Sequence, residues 1–133
     1  MPNYRRPRNP GGTYFFTVVT HQRQPVLTSD RVRLALRSAI QAARSTLPFD
    51  IEAWVLLPDH LHCIWPLPEN DGNFAARWAI IKRHVGRECG AMVDATASRS
   101  RSRRNERVFW QRRFWEHQIR DDDDLARHLD YIH

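Results

Sequence analysis

The segment from Ala53 to Trp65, AWVLLPDHLHCIW, constrains the fold of this chain more than any other. Its apolar residues are nearly continuous and many are aromatic or β-branched, which is typical of strands inside a sheet rather than at its edge. Side chains alternate between the two faces of a strand, so His60 and His62 share one face, about 7 Å apart, while Leu61 and Cys63 pack on the other. Two imidazoles placed in this way can bind one metal ion. The same pattern is also typical of half-buried histidines whose nitrogens are satisfied by backbone carbonyls.

The hydrophobic periodicity around this segment predicts seven elements in all. They are a strand at 14–20, a helix from 30 to about 44 capped by Ser29 or Asp30, a strand from 49 to about 57, the His-x-His strand after a turn at 58–59, a helix from 74 to 89 capped by Asn73, a strand within 108–119, and a last helix that begins at 121–124. The first six match a ferredoxin-like βαββαβ plan, an α+β fold with an antiparallel sheet and helices on one face; the last helix is additional. With 133 residues, the chain is expected to form one domain, residues 1–133.

The charge of the chain favours a polyanionic partner. The net charge is +6, and 20 of the 21 basic side chains are arginine, with Lys82 the exception. Arginine binds phosphate through two parallel hydrogen bonds and stacks on bases, so this excess predicts binding to nucleic acid. A genome that prefers arginine codons would explain the ratio of arginine to lysine, but not the net charge.

Two segments are expected to lie outside the regular elements. Residues 1–12 form a basic arm that ends in a Pro-Gly-Gly turn. Residues 91–107 form an Arg/Ser-rich loop of low complexity, which is predicted to be flexible. This loop could add phosphate contacts or could be a solvated insertion, and the sequence leaves both interpretations open.

The second predicted helix carries an apolar stripe and a separate arc of basic residues. Arg77 and Arg83 belong to the basic arc, and Lys82 falls at the border between the two. A lysine at such a border either reaches toward a bound phosphate or only edges the core.

The cysteine pattern and the hydropathy of the sequence predict the cellular compartment of the protein. Cys63 and Cys89 have no paired spacing, so neither a disulfide framework nor a zinc ribbon is predicted, and a reducing cytoplasm is expected. No apolar run approaches ~18 residues, and no apolar segment follows the basic N-terminus. The protein is therefore expected to be neither secreted nor membrane-spanning.

The aromatic residues between 108 and 119 alternate with charged ones. They are Phe109, Trp110, Phe114 and Trp115. Exposed members of this set could stack on unpaired bases. At least two of the four are expected to pack in the core instead.

The last predicted helix has one tyrosine beside its buried stripe. Leu125, Leu129 and Ile132 form the stripe, and Asp124, His128 and Tyr131 lie along one flank. The aspartates at 121–124 are expected to cap the helix and to place negative charge in its first turn. Tyr131 is either half-buried packing or a reactive hydroxyl. Beside a two-histidine metal site it could attack a phosphodiester and form a phosphotyrosyl intermediate.

Several motifs in this order resemble one family. They are YRR at 4–6, GGTYFFTV at 11–18, AWVLLPDHLHCIW at 53–65, RW at 77–78, IK at 81–82, WQ at 110–111, and RFWEH at 113–117 followed by DYIH at 130–133. This set is similar to the REP-associated tyrosine transposases, a branch of the single-tyrosine HUH (His-hydrophobic-His) nucleases related to small insertion-sequence transposases. The resemblance covers nearly the whole chain and has no counterpart for residues 91–107.

The resemblance implies a metal-dependent single-stranded DNA endonuclease and strand transferase. His60 and His62 would bind Mg²⁺ or Mn²⁺, and Tyr131 would form a 5′-phosphotyrosine link. The substrate would be a REP (repetitive extragenic palindrome) hairpin, an imperfect hairpin with a short tetranucleotide at its foot. The DNA-contacting residues would be Tyr4, Arg5, Arg6, Arg8, Lys82, Arg83 and Arg113. By the same resemblance, the protein would be a monomer in the bacterial cytoplasm, associated with the nucleoid.

The third metal ligand is left open by the sequence. In relatives it tends to come from one turn beyond the tyrosine, past the last residue of this sequence, so either the sequence is trimmed before that ligand or water, substrate or another residue completes the site. His128 is expected to be a surface histidine rather than to assist the tyrosine or the metal. Two alternative functions are a REP-hairpin DNA-binding module without cleavage activity and a metal hydrolase that uses water. The hydrolase ranks last because Asp59 is the only acidic residue next to the histidines, and it points to the opposite face if the strand already begins there.

Overall fold

The computed structural model describes residues 12–68, 71–90 and 109–132. The elements are β1 (Gly12–Val19), a 3₁₀ helix (His21–Arg23), α1 (Asp30–Thr46), β2 (Ala53–Leu56), β3 (His60–Leu67), α2 (Phe74–Cys89), β4 (Trp115–Gln118) and α3 (Asp122–Ile132). The order of the strands and α-helices is the predicted one. The basic arm and the Arg/Ser-rich loop lie outside the described residues, apart from Gly12, which begins β1.

The four strands form one antiparallel sheet in the order β2-β3-β1-β4. This is the strand order of the ferredoxin-like plan, so the predicted fold is confirmed. β3 lies between two other strands, as its continuous apolar sequence predicted.

The two faces of the sheet are covered by different helices. Phe16, Leu61 and Trp65 belong to a large apolar cluster that includes residues of α1 and α2. Phe15 and Ile64 belong to a smaller cluster on the other face, to which α3 contributes. The helices of the βαββαβ plan therefore share one face, as predicted, and the additional helix packs on the opposite one.

The helices begin where the sequence predicted. The Ser29 hydroxyl accepts a hydrogen bond from the backbone N–H of Val32, and the Asn73 side chain accepts one from Ala76. The strand predicted to begin at Phe49 begins at Ala53 instead. Phe49 does not extend β2 because its side chain packs in the core below the sheet. It is buried against Trp65, with ring centroids 4.6 Å apart.

Arg77 does not lie on an exposed basic arc, and that prediction was wrong. Its side chain is fully buried, and its guanidinium donates to both carboxylate oxygens of Asp71, at 2.8 and 3.0 Å. It also donates to three backbone carbonyl groups, those of Leu47, Pro48 and Asn73. A buried charge needs this full set of partners, which join the end of α1 to the start of α2. Within the described residues, no helix is both long and apolar enough to cross a membrane.

Candidate active site

His60 and His62 lie side by side on the face of β3 that α3 covers. Their ring centroids are 4.9 Å apart and their planes are nearly perpendicular, at 78°. The Nδ1 atom of His60 lies 2.7 Å from a carboxylate oxygen of Asp59, and the Nδ1 atom of His62 lies 2.8 Å from the hydroxyl of Thr17. The shared face predicted from the period of a strand is therefore the observed arrangement.

These Nδ1 contacts suit a pair of metal ligands. A histidine that binds a metal through one ring nitrogen commonly gives the N–H of the other to a carboxylate, hydroxyl or carbonyl, which fixes the ring and its tautomer. The Asp59 carboxylate can only accept, so the His60 Nδ1 atom carries the proton and Nε2 is the nitrogen suited to a metal. The same assignment holds for His62 when Thr17 accepts its proton. The donor set present in the chain therefore fits a divalent cation held by two Nε2 atoms.

Asp59 does not point to the face opposite the histidines, because that direction required the strand to begin at Asp59, and it does not. β3 begins at His60, so Asp59 lies in the preceding turn and is not bound by the alternation of the strand. Its other carboxylate oxygen accepts a hydrogen bond from Arg23 at 2.9 Å. The hydrogen bond from His60 and the charge of Arg23 lower the pKa of Asp59 below its ordinary value. Because Asp59 contacts Nδ1, on the side of the ring away from Nε2, it orients His60 and does not extend the ligand set.

Burial adjusts the state of the second histidine. His62 is 5% exposed. Its burial, and then the charge of neighbouring His60, lower the pKa of His62 below its ordinary value. A lowered pKa keeps the imidazole neutral to a lower pH, and the neutral form is the one that binds a metal.

Tyr131 reaches this histidine pair from α3. Its ring centroid lies 5.0 Å from that of His62, with the planes at 81°, and its side chain is 69% exposed. Phe15 of β1 lies beneath both rings, 5.3 Å from His62 and 6.1 Å from Tyr131. The exposure excludes the half-buried packing that the helical pattern allowed for Tyr131. A strand and a helix thus bring two imidazoles and one accessible tyrosine side chain together.

A buried carboxylate holds the helix that carries the tyrosine. Asp124 accepts hydrogen bonds from His117 Nε2 at 2.8 Å and from the backbone N–H of Arg120 at 2.9 Å. The Nδ1 atom of His128 lies 2.8 Å from the backbone carbonyl of Asp124. Burial raises the pKa of Asp124, but the hydrogen bonds from His117 and Arg120 outweigh this effect and hold it below the ordinary value. Asp121 provides the predicted cap, since its carboxylate accepts from the N–H of Asp124.

Sequence reasoning missed this cluster of Asp124, His117 and His128. It gave Asp124 only the role of a cap or first-turn charge and expected His128 at the surface, but the side chains are only 2% and 18% exposed. The spacing of four residues between them was a visible signal, whereas the pairing with His117 depends on the tertiary fold. Their ligand atoms all lie within 4.8 Å of one another, a spacing also found in metal sites. The guanidinium groups of Arg120 and Arg127 also form ion pairs with the carboxylate, at 3.4 and 3.3 Å, which favours a hydrogen-bonded anchor over a cation site.

The residues predicted to contact DNA are only partly described. Tyr4, Arg5, Arg6 and Arg8 lie outside the described residues. Arg83 and Arg113 are exposed. The ammonium group of Lys82 donates to the backbone carbonyls at positions 111 and 112, at 2.7 and 3.2 Å, and so joins α2 to the segment before β4.

Comparison with known proteins gives a consistent result. Residues 11–133 match the family described as Transposase IS200 like. The REP-associated tyrosine transposase of Escherichia coli K12 is 41% identical over 133 residues, which are all of this chain and 71% of that protein. A relative from Haemophilus influenzae is 44% identical over 137 residues, which cover all of this chain and 74% of the relative. A solved structure of a REP-associated tyrosine transposase bound to a REP hairpin is 42% identical, with a TM-score of 0.75, and the match covers 99% of this chain and 70% of that one.

Proposed function

Because the chain belongs to the IS200-like transposase family, and within it to the REP-associated tyrosine transposases, we propose that it cleaves and rejoins single-stranded DNA at REP hairpins. The observation that carries this proposal is the distance of 5.0 Å between the rings of Tyr131 and His62, beside the paired ring of His60. All three belong to one chain, so a monomer would contain every group named here.

His60 and His62 are the proposed ligands of Mg²⁺ or Mn²⁺. The bound cation would polarise the scissile phosphodiester and stabilise the negative charge that develops on its oxygens. Because both protein ligands are imidazoles, we expect Mn²⁺ to bind more tightly than Mg²⁺, which prefers oxygen ligands. Asp59 and Thr17 orient the two rings through their Nδ1 atoms.

Tyr131 is the proposed nucleophile. Its hydroxyl oxygen forms a bond to phosphorus while the bond from phosphorus to the 3′ oxygen of the preceding nucleotide breaks. The phenol loses its proton and the leaving 3′ oxygen takes one up. In strand transfer a 3′ hydroxyl attacks the same phosphorus and tyrosine leaves. The phosphotyrosine keeps the energy of the ester bond, so joining needs no nucleotide cofactor.

The charge of the chain supports DNA as the substrate. Its excess of arginine suits phosphate contacts, and the related protein of the solved structure is bound to a REP hairpin. We assign the contacts to Tyr4, Arg5, Arg6, Arg8, Lys82, Arg83 and Arg113. A REP substrate also puts the protein in the bacterial cytoplasm, at the nucleoid.

The test is a search for a covalent adduct. A labelled REP hairpin with single-stranded flanks is incubated with the protein and Mg²⁺ or Mn²⁺, and the products are separated on a denaturing gel. We expect a protein-linked DNA band that is lost in Tyr131→Phe, in His60→Ala and with a chelator. Tyr14→Phe is the matched control, since it removes a tyrosine hydroxyl from the opposite face of β1, where Tyr14 packs on Phe74 of α2.

Each contrary result points to a different function. An adduct that persists in Tyr131→Phe would mean that another residue is the nucleophile. Cleavage without any adduct would indicate a metal hydrolase that uses water. Hairpin binding with neither cleavage nor adduct, even with Mn²⁺, would make the chain a DNA-binding module.

A further inference from the structure

Trp115 is the exposed member of the aromatic segment that precedes α3. Phe109 and Trp110 are buried, and Phe114 packs against the main core. Trp115, in contrast, is 54% exposed at the start of β4. The candidates for base stacking in this segment therefore reduce to one residue.

The register of the sheet puts Trp115 on the face of the candidate active site. Trp115 pairs with Thr17 of β1, and Thr17 pairs with His62 of β3. Directly paired residues point to the same face, and neighbouring strands are about 4.8 Å apart. Trp115 therefore lies roughly 10 Å across the sheet from His62. Phe15 contacts both Trp115 and Tyr131, with ring centroids at 5.8 and 6.1 Å.

The indole of Trp115 is held in a fixed orientation. It lies parallel to the imidazole of His117, with ring centroids 5.9 Å apart and an angle of 3° between the planes. It also meets Phe15 edge-on, at 74°. His117 is itself anchored by Asp124. An aromatic ring that is already ordered loses little conformational entropy when a ligand stacks on it.

The surroundings of Trp115 favour a nucleobase over an apolar protein partner. The exposed residues Arg112 and Arg113 closely precede it in the sequence. Arginines next to an exposed aromatic ring suit a ligand that combines a flat base with a phosphate. An apolar protein surface would leave these charges without partners.

We propose that Trp115 is the stacking platform for one unpaired base of the single-stranded DNA beside the phosphate that Tyr131 attacks. This proposal rests on the proposed function. Stacked nucleotides rise about 3.4 Å each, so a span of roughly 10 Å puts the base within about three nucleotides of that phosphate.

The experiment measures DNA binding by fluorescence anisotropy in the presence of a chelator, so that no cleavage occurs. The probes are a REP hairpin with single-stranded flanks and a series in which one flanking nucleotide at a time is abasic. Trp115→Ala should weaken binding about 5- to 150-fold, the range expected for loss of one base–aromatic stack. Trp115→Phe should retain most of the affinity. Trp54→Phe is the control, because Trp54 is 38% exposed and lies on the opposite face of the sheet, which α1 and α2 cover.

The abasic series identifies the stacked base. At one flanking position, wild type should bind the abasic probe with the same reduced affinity as Trp115→Ala has for the intact probe. Trp115→Ala should then bind that abasic probe no more weakly than it binds the intact probe. The stacking proposal is overturned if Trp115→Ala binds the intact probe with the affinity of wild type. It is also overturned if, at every flanking position, the fold loss in affinity caused by Trp115→Ala multiplies in full with the fold loss caused by the abasic nucleotide. The first result would leave Trp115 to a partner other than DNA.

The adduct assay separates this proposal from the proposed function. Adduct formation without coupling between Trp115 and any base removes only the stacking proposal. Coupling without an adduct removes only the cleavage proposal, and absence of hairpin binding by wild type removes both.

Discussion

Replacing Asp124 with asparagine tests whether the buried carboxylate holds α3, and with it Tyr131, against the sheet. The carboxylate is 2% exposed and accepts from His117 and from the N–H of Arg120, both within 2.9 Å. Asparagine keeps the volume, but its NH₂ group would face a donor in place of one acceptor oxygen. A hydrogen bond to a charged group contributes about 1.5–3 kcal/mol, so we expect a loss of about 2–4 kcal/mol in the free energy of unfolding. The melting temperature should fall by roughly 6–15 °C.

Asp123→Asn is the matched control for this change. Asp123 is exposed in the same turn of α3, so its substitution should cost no more than about 0.5 kcal/mol. Urea unfolding followed by circular dichroism at pH 7 measures both variants, and the rate of adduct formation should fall with Asp124→Asn alone. The lowered pKa of Asp124 means that its stabilisation is fully present above the ordinary aspartate pKa and is lost progressively as the pH falls from there toward the lowered pKa, so the difference between wild type and Asp124→Asn should begin to shrink only below about pH 4. Equal stability of the two variants at pH 7 would refute the reasoning.

Three further substitutions separate orientation, stability and DNA contact. Thr17→Val removes the partner of His62 Nδ1 and should weaken Mn²⁺ binding about 10- to 100-fold by calorimetry, whereas Thr17→Ser should not; equal affinities would contradict the orienting role. Asp71→Asn should cost about 1–2 kcal/mol in urea unfolding at pH 7, after allowance for the partly exposed carboxylate. In wild type, the hydrogen bond from Arg77 lowers the pKa of Asp71 to about 2, so this stabilisation is present above pH 3.8 and should be lost as the pH falls toward 2. Lys82→Met removes the links to two backbone carbonyls together with the proposed DNA contact, so it should lower the free energy of unfolding by about 1–2 kcal/mol and also weaken DNA binding; an unchanged free energy of unfolding would contradict the role of the two links.

The histidine pair and the element order were predictable because they follow from local rules. A period of two puts His60 and His62 on one face wherever β3 lies, and a continuous apolar run requires neighbours on both sides. Side-chain caps at Ser29 and Asn73 mark the helix starts without reference to the rest of the fold. The ordered motifs also predicted the family, which the comparisons confirmed.

The buried charges could not be predicted in this way. Periodicity predicts that a charged residue faces solvent, because it gives no information about buried hydrogen-bond partners. The partners of Arg77 include backbone carbonyls about thirty residues earlier in the chain. Asp124 likewise needs His117 from a different element. The direction of Asp59 depended on a single residue of strand boundary, which sequence patterns do not fix to that accuracy.

Neighbouring phenylalanines on β1 show why α3 depends on a buried charge. Phe16 faces the large cluster under α1 and α2, where burial of many apolar side chains supplies the stabilisation. Phe15 faces the smaller cluster, whose buried members among the described residues are Phe15, Ile64, Ile119 and Ile132. This apolar contact is smaller than the one under α1 and α2, although Leu125 and Leu129 of α3 also pack against it, and part of the same face is occupied by the histidines and Tyr131. Asp124 offsets this deficit, because its hydrogen bonds tie α3 to β4 at the end of the helix away from the tyrosine. The site face can thus remain open to a polyanion while the tyrosine stays beside His62.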